Sequence, residues 1–123
     1  MTSTSETVDL LIVGSGPAGV STALHLVRSD RRWVERMVVV DRAVHPRDKL
    51  CGGGVTRAGD EVLRDLGLGF PRGHVKIREL RLVFGERAWA VRGDPVFRVV
   101  RRAELDHWLV RAAEREGVEL RQG

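Results

Sequence analysis

A glycine turn set between a short apolar run and an amphipathic segment constrains this chain more than any other feature: Gly14-Ser15-Gly16-Pro17-Ala18-Gly19. The run before it, Val8 to Val13, is almost entirely apolar and reads as a strand buried on both faces, the usual first strand of a parallel α/β sheet. After it, Val20, Ala23, Leu24 and Val27 recur at helical spacing, which predicts a helix over Pro17 to Ser29. Pro17 suits the first turn of that helix, where its missing N–H would have no partner anyway. The glycines have separate mechanical tasks. The first permits the tight turn, the second lets a pyrophosphate approach the backbone, and the third lets helix and strand pack closely. The helix N-terminus adds free amides and a partial positive charge.

Glycine is common in this chain, at 14 of 123 residues, so the spacing alone is weak and its context makes it specific. A second strand, Met37 to Val40, ends at an acid, Asp41, at the distance expected of a ribose-binding carboxylate, about 20 residues on. Its charge disfavours a 2′-phosphate, which argues against NADP at this site. FAD and NAD both use such a turn, so the residues to this point leave the two open.

Residues 42 to 55 lack periodicity and read as a loop; Thr56 to Leu66 predicts a short helix closed by Gly67. Val75 to Phe84, Ala88 to Val91 and Val96 to Val100 predict strands, separated by Gly85 and by Gly93-Asp94-Pro95. Leu105, Leu109 and Ala112, with Trp108 beside them, predict a last helix ended by Gly117, and Val118 starts another strand. The expected fold class is therefore α/β, an incomplete Rossmann-like βαβ sheet with a small inserted antiparallel β segment.

A net charge of +4 and a pI near 10.5 invite a nucleic-acid reading, but the basic residues are interleaved with 17 acids and form no stripe, so no nucleic-acid partner is expected. The single cysteine, Cys51, excludes an internal disulfide and fits a reducing compartment. No apolar run is long enough for a signal or membrane span; the chain is expected in the cytoplasm, with peripheral membrane contact left open. His25, His45, His74 and His107 lack metal-ligand spacing, and no catalytic acid, base or nucleophile can be nominated. Trp33, Trp89 and Trp108 are widely separated and are expected to pack in cores or against helices.

Three motifs in order carry a resemblance that covers nearly the whole chain from Val8. The turn with Asp41-Arg42 resembles the N-terminal FAD-binding segment of the flavoproteins related to aromatic hydroxylases. The loop Lys49-Leu50-Cys51-Gly52-Gly53-Gly54-Val55 resembles more specifically the geranylgeranyl reductase family. Val100 to Leu109 resembles the R-x-x-[FL]-D-x-x-L helix start of the same group. The resemblance implies FAD as cofactor, gripped by Gly14, Ser15, Gly16, Pro17, Ala18, Gly19, Asp41 and Arg42. It implies that Cys51, Gly52, Gly53 and Gly54 run beside the flavin and that Arg102 reaches the diphosphate. Read without it, Cys51 is a small inert thiol on a flexible loop and Arg102 a surface residue. Asp106 is expected to stabilise its helix N-terminus.

The family's reaction implies reduction of FAD by NAD(P)H, followed by saturation of an isoprenoid double bond. Its enzymes carry a further flavin contact, a Gly-Asp motif and a substrate domain beyond the strand at Val118. Residues 1–7 are thus expected to be a disordered tail and 8–123 a partial FAD-binding domain, inactive and marginally stable alone. Its first strand should expose a hydrophobic edge, and a second polypeptide is expected to complete it unless the chain is a truncated product. The alternatives are a fragment of an FAD-dependent aromatic monooxygenase or halogenase, against which the Cys51 loop argues, and a non-catalytic nucleotide-binding or interaction module.

Overall fold

A computed structural model describes residues 5–123. In chain order its elements are β1 (Leu10–Val13), α1 (Pro17–Ser29), a 3₁₀ turn (Arg31–Glu35), β2 (Met37–Asp41), β3 (Gly54–Thr56), α2 (Arg57–Asp65), β4 (Val75–Phe84), β5 (Arg87–Val99), α3 (Arg102–Arg115) and β6 (Glu119–Gln122). They form two compact units, one of residues up to 47 together with 106–123, the other of residues 48–105.

The first unit is built on a parallel sheet of order β1-β2-β6. Val39 at its centre stands between Ile12 and Leu120. The predicted helix α1 forms over the expected span, and Val20, Ala23, Leu24 and Val27 are its buried face. Met37, Val38 and Val39 are buried in the central strand, as are Leu109, Val110, Ala112 and Ala113 of α3. Each such aliphatic side chain larger than alanine contributes about 1.5–3 kcal/mol by leaving water. Gly117, at φ +87°, turns the chain out of α3, and Val118 N–H bonds back to Ala113.

The expectation that β1 is buried on both faces is corrected: Leu11 and Val13 are 54% and 79% exposed. A strand is covered twice only where packing elements lie on both faces. Here β1 is also an edge strand, with no neighbour on its far side among the described residues. The hydrophobic edge expected from the sequence is therefore present. Of the expected tail, residues 1–4 lie outside the described residues; Glu6 pairs with Arg121 at 2.7 Å.

The second unit holds an antiparallel sheet of order β3-β5-β4. Two sequence expectations change here. The end of the predicted loop is a strand, β3, too short to show a period, whose Val55 stands opposite Arg98. The two strands expected after Gly85 are one, because Gly93 to Val96 bulge opposite Arg78 without breaking the ladder. Leu80, Leu82 and Phe84 share a face with Val91, Trp89 and Arg87 across the ribbon. Trp89 is 54% exposed there, contrary to its expected packing role. Trp33 instead carries the Arg36 guanidinium 4.5 Å over its ring. No helix of the described residues is long and apolar enough to cross a membrane.

Candidate functional site

The turn from β1 to α1 is held by backbone geometry. Gly14 takes φ +105°, open to glycine and strained for other residues, and its N–H donates to the Val40 carbonyl at 2.8 Å. A Cβ on Gly19 would fall on the Gly14 carbonyl oxygen, with Ile12 Cγ2 3.3 Å away. Gly16 is the N-cap of α1 and supplies no side-chain cap; Pro17 opens the helix. The first-turn amides thus face outward without a side-chain acceptor, which is the arrangement that takes a phosphate oxygen.

Asp41 closes the other side of the site. Its Oδ2 accepts from the Ser15 backbone N–H at 2.8 Å and from Ser15 Oγ at 2.7 Å, while Oδ1 accepts from Ala43 N–H at 2.9 Å. Three of a carboxylate's roughly four acceptor positions are thereby used, leaving room on Oδ1. Ser15 is fully buried, and since its hydroxyl proton goes to Asp41, it accepts from His45 Nε2 at 2.7 Å. His45 is itself buried, its N–H donating to Gln122 Oε1 at 2.8 Å and its Nδ1 lacking a partner. Burial, followed by the charge of Arg47, pushes the His45 imidazole below its ordinary value.

Burial also works against the Asp41 carboxylate, but the amides of Ala43 and Ser15, the Ser15 hydroxyl and Arg47 outweigh it and hold Asp41 at about 2. A folded value below the unfolded one stabilises the fold above about pH 4, and that contribution fades as pH falls towards 2. Asp41→Asn is expected to remove about 2 kcal/mol of pH-dependent stability between pH 5 and 2. Urea unfolding of both proteins across that range measures it; parallel curves would show that Asp41 is not so held.

A cavity of about 510 Å³ opens at the carboxyl ends of the three parallel strands, lined by Val13 and Gly14, Val40 to Arg42, and Arg121 to Gly123. That is where ligands of open α/β sheets sit. The first unit thus brings Gly14, Asp41 and Arg42 to one cavity, and Ser15 is bonded to Asp41. It also contains a buried pair the sequence did not indicate: Arg47 lies 3.1 Å from the fully buried Asp106. Asp106, expected to stabilise its helix N-terminus, is an interior charge partner of Arg47.

Cys51 to Gly54 and Arg102 belong to the second unit. Cys51 is exposed, and its Sγ accepts from Gly53 N–H at 3.4 Å. Of the three loop glycines only Gly53 is demanded by the fold: at φ +74° a Cβ would strike the Val100 carbonyl, whose own N–H bonds Gly53 O at 3.0 Å. Gly54 has ordinary contacts with Phe97, and Gly52 has open space around it. Arg102 is the first residue of α3, a helix start as expected. The signal for Asp41 was legible in sequence; Ser15 with His45 was not, since their contacts join residues far apart in the chain.

No family model matches the chain. It is 35% identical over 98% of its length to a menaquinone reductase of Mycobacterium tuberculosis, and spans 30% of that relative's length. Among solved structures, a geranylgeranyl bacteriochlorophyll reductase-like protein of Thermoplasma acidophilum superposes with TM-score 0.76 at 20% identity, over 95% of this chain and 30% of that one. A myxobacterial FAD-dependent halogenase superposes with TM-score 0.70 at 26% identity, over 94% of this chain and 28% of that one. Fold and turn together define a Rossmann-type dinucleotide-binding protein. More particularly, the chain has the fold of FAD-dependent oxidoreductases, a group whose similar structures include geranylgeranyl-reductase-like proteins and halogenases alike.

Proposed function

We propose that the chain is the FAD-binding portion of a flavin-dependent reductase of the geranylgeranyl-reductase type. The observation that carries the reading is that Gly14, which leads into the uncapped N-terminus of α1, and ionised Asp41 line one cavity at the strand ends. These groups fit the adenosine diphosphate end of FAD. The N–H groups of Gly16, Ala18 and Gly19 receive the pyrophosphate, and Asp41 Oδ1 receives a ribose hydroxyl while its charge repels a 2′-phosphate. Arg42 lines the same cavity and can neutralise phosphate charge. FAD is favoured over NAD by the flavin-dependent structures that share the fold and by the Cys51–Gly54 loop, whose Gly52 no internal contact requires. In the proposed arrangement that loop lies along the flavin and Arg102 contacts the diphosphate. Bound FAD would supply two-electron transfer from NAD(P)H to an acceptor.

An isoprenoid acceptor is supported by the name of the mycobacterial relative, since menaquinone carries an isoprenoid tail. The chain spans only part of that relative, so the substrate-binding remainder would come from further polypeptide, in the same protein or a second one. The halogenase neighbour supports a second reading, in which the reduced flavin serves oxidation of an aromatic ring. The test is an absorption scan and FAD titration of the purified chain and of a Gly16→Val variant. Gly16 lies at φ −73° in extended backbone, so valine can adopt its conformation while its side chain blocks the pyrophosphate. Saturable FAD binding that Gly16→Val abolishes is expected; equal binding by both would overturn the reading. With the complete protein, NAD(P)H-dependent reduction of menaquinone without halide separates the reductase from the halogenase.

A further inference from the structure

We propose that the second unit carries an anion site for a phosphate monoester, built from Arg64, Lys76 and Arg98 around Phe70. These residues, with Asp60 and His74, line one cavity of about 390 Å³. Its floor is rigid. Arg98 donates from Nε to Asp60 Oδ2 at 3.1 Å and stacks 5.0 Å over the Phe70 ring, on which His74 also packs at 5.2 Å. A carbonyl only accepts, so His74 Nδ1–H donates to Pro71 O at 2.9 Å, and His74 Nε2 therefore accepts from Arg98 at 3.0 Å. Three contacts fix one guanidinium, and Asp60 balances its charge.

Arg64 and Lys76 stand exposed at the rim of this floor with no hydrogen-bond or ion-pair partner among the described residues. Arg57, Arg78 and Arg92 of the same unit are by contrast paired, with Glu61, Asp94 and Glu79. Two unpaired cations of different geometry, converging on a cavity with an aromatic base, complement a dianionic phosphate whose ester group rests on the ring. The site shares no residue with the glycine turn, so its failure would leave the FAD reading standing.

The test titrates the ¹⁵N-labelled chain at fixed ionic strength with inorganic phosphate, 5′-AMP and 2′-AMP, following backbone amides. Saturable shifts at residues 60–76 are expected with each, at roughly millimolar affinity. A tighter 2′-AMP or 5′-AMP is expected, because the ester group rests on Phe70; affinities equal to that of inorganic phosphate would overturn the assignment to a monoester. Arg64→Gln with Lys76→Gln should weaken binding by roughly tenfold or more, both side chains being exposed and the fold unaffected. Arg72→Gln, which removes an exposed cation from the neighbouring loop, should leave it unchanged. Shifts that do not saturate, a double variant that binds as before, or an equal loss in Arg72→Gln would each overturn the proposal.

Discussion

Gly19→Ala is expected to destabilise the first unit by about 3 kcal/mol or more, lowering the melting temperature by roughly 10 °C. The added methyl falls on the Gly14 carbonyl oxygen, a backbone atom that no rotamer change can move, and Ile12 blocks the way out at 3.3 Å. Relief requires α1 to lift from β1, exposing the buried face of Val20, Ala23, Leu24 and Val27. The same displacement pulls the first-turn amides from the phosphate position, so FAD affinity should fall together with stability. Thermal unfolding followed by far-UV circular dichroism measures the first effect and FAD titration the second. A variant that melts like the parent would mean that the close approach of helix and strand is not what the third glycine serves.

The second large effect is expected at Gly53. Gly53→Ala places a methyl on the Val100 carbonyl and puts alanine at φ +74°, together about 3 kcal/mol. It also disturbs the bond from Val100 N–H to Gly53 O that ties the loop to the strand end. Gly52→Ala, one residue earlier, meets open space and should change stability by less than about 1 kcal/mol. The pair separates two uses of glycine in one motif. If the loop runs beside the flavin, Gly52→Ala weakens FAD binding at unchanged melting temperature; unchanged binding would remove Gly52 from the cofactor's surroundings.

Features set by local pattern were legible in the sequence. Pro17 at the helix start and four apolar residues at helical spacing defined α1, and the β-branched run into Asp41 defined β2. Gly14 and Asp41, which line one cavity, stand at the ends of β1 and β2 as the local pattern places them. What could not be read depends on neighbours distant in the chain. Leu11 and Val13 have the composition of buried residues, and they are exposed because they share a face of β1 that no element of the described residues covers. β3 has three residues, too few for a period, and exists because β5 pairs with it. Gly93 to Pro95 resembles a strand break yet is accommodated as a bulge opposite Arg78. Likewise, Ser15 and Asp106 became interior partners of Asp41 and Arg47 through contacts that no local spacing encodes.

The Ser15 contacts also refine what Asp41 can do. Its Oδ2 is committed to the turn, so in the proposed arrangement a ribose is received chiefly through Oδ1 while the carboxylate also braces the loop. This assembly is proposed to grip FAD. A ligand that binds only the folded chain must raise its melting temperature, by about 2.7 kcal/mol of stability at a hundred times its dissociation constant. The direct measurement is thermal unfolding with saturating FAD and, separately, NAD. FAD should raise the melting temperature in a concentration-dependent way and NAD should raise it less; a rise with NAD and none with FAD would overturn the assignment of FAD to this turn.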